Sequence, residues 1–84
     1  MFSIRFNRPI IVTRHASLRM IEREVDEATL LEIIDNGQVS MKDEQHLWAF
    51  KHFDHRSDNL ICAVLVLETV VVVKTVMHAF TLKD

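Results

Sequence analysis

Leu60-Ile61-Cys62-Ala63-Val64-Leu65-Val66-Leu67, then Glu68-Thr69, then Val70-Val71-Val72-Val73 decide the fold. A β-branched run bounded by turn residues reads as a strand, and Glu68-Thr69 as the turn of a hairpin. The return strand runs from Val70 to about Phe80. The first run stops at Glu68, far short of the length that crosses a bilayer. Leu60 to Leu67 and Val70 to Val73 are apolar on both faces, so each face needs cover.

Upstream, His46 to Phe53 reads as another strand, with Trp48, Phe50 and Phe53. The polar stretch Asp54 to Asn59 follows as a turn. Val39 and Met41 alternate with polar neighbours, and Asp43-Glu44 reads as a turn between extended segments. Thr81 to Asp84 reads as a frayed tail.

Two helices precede these strands. Thr13 is a suitable N-cap for the first, which is expected to run to about Glu24. Ala16, Leu18, Met20 and Ile21 fall on its apolar side, and His15, Arg19, Glu22 and Arg23 on the other. Asp26 caps the second, with Val25 and Leu30 spaced for a hydrophobic staple. Leu30, Leu31, Ile33 and Ile34 form its apolar stripe. Gly37, the only glycine, suits the left-handed position that ends a helix. Phe2, Ile4 and Phe6 alternate with polar residues, as in a strand or extended arm. Asn7-Arg8-Pro9 breaks it, and Ile10, Ile11 and Val12 lead into the first helix. The expected fold is one α+β domain over residues 1–84, with an arm at 1–9 and two N-terminal helices on an antiparallel sheet of about four strands.

Composition narrows the function classes. A chain this short buries only about two-thirds of its unfolded surface. With 49% apolar residues, part of the sheet is expected to be covered by a second protomer or a partner chain. Cys62 is the only cysteine, which rules out an intrachain disulfide and cysteine-pair zinc sites. The N-terminus lacks an apolar signal region, and a cytoplasmic protein with no membrane segment is expected. Net charge is −2, yet Arg5, Arg8, Arg14, Arg19 and Arg23 precede residue 24 against Glu22 alone, which marks a basic surface.

Val12-Thr13-Arg14-His15-Ala16, then Arg19 and Arg23, then Val25-Asp26-Glu27 and a helix ending at Gly37 carry a resemblance. The chain resembles a bacterial family of unknown function with the signature T-x-H-A-x-x-R-x-x-x-R, over roughly residues 12 to 78. That family is similar in layout to RelE/ParE-type toxins of toxin–antitoxin systems, many of which cleave RNA. The resemblance implies a toxin-like domain, either a metal-independent ribonuclease or an RNA-binding relative, with RNA and an antitoxin-like protein or a second copy as partners. Met77 stands where the family commonly has an aromatic, and the chain has no tyrosine. This departure favours the alternative, a noncatalytic module that dimerises or binds a partner through its apolar sheet.

Cleavage by a 2′-hydroxyl needs a proton acceptor, a proton donor and cations for the phosphorane charge. Histidine and arginine suit these roles. The candidate catalytic residues are His15, Arg19 and His78. Arg14, Arg23, Lys51 and Lys74 are candidate nucleic-acid contacts. His15, Arg19 and Arg23 recur every fourth residue along one helix stripe, and Lys74 and His78 share a face of a regular last strand. His46, His52, Asp54 and His55 lack the pattern of a metal site, so neither metal nor cofactor is expected.

Overall fold

The structure is a computed structural model that describes residues 1–57 and 60–80, the side chains of Ala79 and Phe80 excepted. Asp58, Asn59 and the tail from Thr81 lie outside the described residues.

The chain forms β1 (Phe2–Ser3), β2 (Arg8–Val12), α1 (Arg14–Glu22), α2 (Glu27–Asn36), β3 (Gln38–Met41), β4 (His46–His52), β5 (Leu60–Leu67) and β6 (Val71–Phe80). Among the described residues the sheet has six strands, in the order β1-β2-β6-β5-β4-β3. It is mixed, because β2 runs parallel to β6, with Ile10, Ile11 and Val12 beside Val71, Val72 and Val73. The remaining pairs are antiparallel.

This corrects the expected antiparallel sheet of about four strands behind two leading helices, and with it the RelE/ParE-type layout. Two strands come first. Ile10–Val12 does not merely lead into α1. Its β-branched side chains form a strand that adds to the edge of the β5–β6 hairpin, and Thr13 N–H continues the contact to the Val73 carbonyl at 3.2 Å. The alternation from Phe2 to Phe6 gives only a two-residue strand. The chain then turns, because Asp35 holds it. Its carboxylate accepts from Ser3 Oγ at 2.6 Å and from the Ile4 N–H at 3.2 Å. The arm thus extends the sheet edge, and its Phe6 packs against the core on the helix side.

Both helices pack on one face. Ala16 and Met20 of α1 and Leu30, Ile33 and Ile34 of α2 share a core with Ile10, Leu47, Ala49, Ile61, Ala63, Leu65, Val71, Val73 and Val76. The N-caps act as read from the sequence: Thr13 Oγ1 accepts from Ala16 N–H at 3.1 Å, and Asp26 Oδ1 from Thr29 N–H at 2.7 Å. Val25 and Leu30 are both buried, as the staple requires. Leu18 and Ile21, expected inside, are 52% and 75% exposed. The face of α1 that meets β6 is narrow, and Ala16 and Met20 fill it.

On the other face, Cys62 lies between Phe50 and Met77, and Val64 between Trp48 and Thr75. Cys62 is fully buried there, and burial pushes its thiol up to about 12 from 9.0. The fold therefore favours the neutral thiol. Its contribution is complete below pH ~9, where the unfolded thiol titrates, and is lost as pH rises through the folded value. The expected result is that unfolding midpoints of the wild type fall more steeply between pH 9 and 10.5 than those of Cys62→Ala. Parallel pH curves would contradict it.

Candidate functional site

α1 ends in a way its sequence does not advertise. Val25 N–H bonds to the Met20 carbonyl at 2.8 Å and Glu24 N–H to Ile21 at 3.3 Å, which is the Schellman arrangement. The residue that takes the left-handed conformation is Glu24, with φ 54°. Gly37, expected to be left-handed at the end of α2, is extended there, with φ −73° and ψ 170°. A non-glycine residue at positive φ costs about 1 kcal/mol or more and persists only where its surroundings hold it. Arg56 holds this one. Reaching across from the β4–β5 connection, its guanidinium donates to the Glu24 carbonyl at 2.8 Å and to the Arg23 carbonyl at 2.7 Å. A cation suits the negative end of a helix. Glu24→Gly is expected to raise stability by about 0.5–1 kcal/mol, read as a higher urea midpoint; a lower midpoint would refute the strain.

This clamp forms one wall of an open cleft of about 410 Å³, lined by Glu22, Arg23, Glu24, His55, Arg56, Ser57 and His78. Arg23 donates to the Val76 carbonyl of β6, which uses one of the five N–H donors of a guanidinium and fixes the plane of the rest. Glu22 is engaged by Arg19 at 2.7 Å, so its charge is offset before it reaches the cleft. His55 and His78 are exposed and line the same space, one from the β4–β5 connection and one from β6.

His78 reaches the cleft because β6 is not regular. Leu65 pairs with Val73 but Val64 pairs with Thr75, so Lys74 is an extra residue in a bulge. Val73 and Val76 are both buried on the helix side, three apart instead of two. His78, two residues beyond Val76, returns to that side, and Lys74 is left exposed and out of phase. The expectation that Lys74 and His78 share a face fails for this reason.

The candidate residues therefore separate. Arg23 and His78 meet in the cleft. Arg14 and His15 are exposed in the first turn of α1, and Arg19 is paired with Glu22 along the helix. Lys51 points to the helix side, 3.5 Å from Glu32 of α2, with its Nζ 5.9 Å from the Phe53 ring centre. Sequence reasoning missed His55 as a cleft residue and Arg56 altogether. Among the described residues, no three His, Cys, Asp or Glu side chains gather closely enough to hold a metal ion. Among the same residues no helix is long and apolar enough to cross a membrane.

Fold and site together define a small two-helix, mixed-sheet protein with a cleft at a helix end, lined by two arginines, two histidines, two glutamates and a serine. The chain belongs to a family described as a domain of unknown function, DUF4258, which it matches over residues 12–78. Every residue that lines the cleft falls within that span. No curated protein and no solved structure matches the chain.

Proposed function

We propose that this is a toxin-like cytoplasmic domain that binds RNA in the cleft at the end of α1 and cleaves it without a metal ion. The observation that carries the reading is the meeting of two guanidinium groups and two imidazoles, from α1, the β4–β5 connection and β6, around one open space. Arg23 and Arg56 are oriented by backbone carbonyls, so little ordering remains when a phosphate arrives. One imidazole takes the proton of the attacking 2′-hydroxyl and the other protonates the departing 5′-oxygen. The 2′-oxygen–phosphorus bond forms as the phosphorus–5′-oxygen bond breaks, leaving a 2′,3′-cyclic phosphate and a 5′-hydroxyl. In this reading His78 and Arg23 keep the roles expected from the sequence. His55 takes the role first given to His15, and Arg19 serves by occupying Glu22.

The test is growth after induction of the chain alone. Growth arrest that is relieved by His78→Ala supports the proposal. Unimpaired growth with high yield of folded wild type overturns it. A second reading, a noncatalytic partner-binding module, is favoured by the helix-free sheet face, where Trp48, Val64, Val66, Val72 and Met77 are only half-buried; that reading predicts no arrest.

A further inference from the structure

Among the described residues the outer strand β3 is bonded to β4 alone, and its register decides which backbone groups are already used. Lys42 N–H donates to the His46 carbonyl at 2.8 Å, and the same register sets Ser40 opposite Trp48 and Gln38 opposite Phe50. Hydrogen-bonded and non-hydrogen-bonded pairs alternate in an antiparallel ladder. Gln38, Ser40 and Lys42 therefore turn their N–H and C=O groups to β4. Val39 and Met41 turn theirs away from the sheet.

The side chains of Val39 and Met41 are 38% and 52% exposed, although they sit opposite Ala49 and Leu47 of the core. Edge strands are normally protected by charge, proline or brevity. β3 has neither charge nor proline along Gln38–Met41. The opposite edge, β1, is protected by its length of two residues.

We propose that β3 pairs with β3 of a second copy of this chain, antiparallel, about a twofold axis through Ser40. The strand is self-complementary in that register. Val39 lies opposite Met41 of the second copy, and the outward N–H and C=O of each meet the C=O and N–H of the other. The axis repeats the exchange. The side chains of Val39 and Met41 from both copies then form one apolar cluster that extends the core row through Ala49 and Leu47. Ser40 meets its own copy, and Lys42 meets the neutral Gln38, so no like charges are opposed. A short strand pair buries less than the roughly 1,200 Å² of a tight interface. The dimer is therefore reversible and concentration-dependent. This inference is independent of the RNA reading, since β3 contributes nothing to the cleft.

The register makes the test specific. Directly opposed residues of a non-hydrogen-bonded pair lie about 4.5 Å apart at Cα, within disulfide reach. Ser40→Cys is expected to form a covalent dimer on mild oxidation, seen on a non-reducing gel. Gln38→Cys is expected not to, because the two copies of position 38 are about 13 Å apart in this register. The native Cys62 is buried and stays silent. Light scattering of the wild type is expected to give a mass that climbs from monomer toward dimer with concentration. Val39→Pro, which removes an outward N–H without touching the β4 ladder, should hold it at monomer. A wild type that stays monomeric to about 1 mM overturns the proposal. Equal cross-linking of Ser40→Cys and Gln38→Cys, or binding of a foreign extended peptide to β3 of a monomer, does so as well.

Discussion

Gly37→Ala is expected to lower stability by about 1–3 kcal/mol, a fall of roughly 4–8 °C in melting temperature per kcal/mol for a chain this small. The reason is space, not backbone freedom, since φ at Gly37 is an ordinary −73°. A Cβ there would stand 2.4 Å from the Ile33 carbonyl oxygen and 2.7 Å from that of Phe50. Both are main-chain atoms and neither can swing aside. The Ile33 oxygen is already bonded to Gly37 N–H at 2.9 Å. The Gly37 carbonyl in turn accepts from Arg5 at 2.8 Å, and the same guanidinium reaches Ile34 at 3.2 Å. Relieving the clash would move the end of α2 away from β4 and strain these bonds together. A thermal melt unchanged from wild type would show that the seam between α2 and β4 is looser than described here.

The second large effect is on RNA turnover. If one imidazole accepts a proton and the other donates one, His78→Ala and His55→Ala should each slow cleavage about 10²–10⁴-fold. The double variant should be little slower than the worse single, because the two groups act on one transition state. Both side chains are exposed, and His55 meets the Phe53 ring edge-on at 5.8 Å, so folded yield and melting temperature are measured beside the rate, and the loss of cleavage should far exceed any loss of folded protein. His15→Ala, on the outer face of α1, should cleave at nearly the wild-type rate. Multiplicative losses at His55 and His78, or a loss at His15 as large as theirs, would contradict the assignment.

What could be read from the sequence follows local rules. The caps at Thr13 and Asp26, the staple and the β5–β6 hairpin depend on residues near one another in the chain, and the structure has them. The parallel β2–β6 pair was not legible, because a short apolar run before a helix looks the same whether it leads in or pairs. Leu18 and Ile21 lie on the apolar stripe of α1 yet face water, because a hydrophobic stripe gives no measure of how wide its partner surface is. A glycine is the usual sign of a left-handed residue, yet Gly37 ends α2 in an extended conformation, while Asn7 and Glu24 take positive φ, Glu24 under the hold of a residue more than thirty positions away. That same reach hid the cleft. Arg56 sits in a polar turn, and nothing in its neighbourhood indicates that it clamps α1. The bulge at Lys74, which swings His78 to the helix side, also leaves no mark in a run of valines.

The central claim is that the cleft, not the outer face of α1, is where a nucleic acid is held. Titrating a short single-stranded RNA, its cleavage-site 2′-hydroxyl replaced by hydrogen, into isotopically labelled protein tests this most directly. NMR shifts are read at His55, Arg56 and His78, and at Arg14, His15 and Arg19. Shifts confined to the first group, with an affinity that weakens as salt rises, are the predicted result. Shifts confined to Arg14, His15 and Arg19, or none at either place, would contradict it.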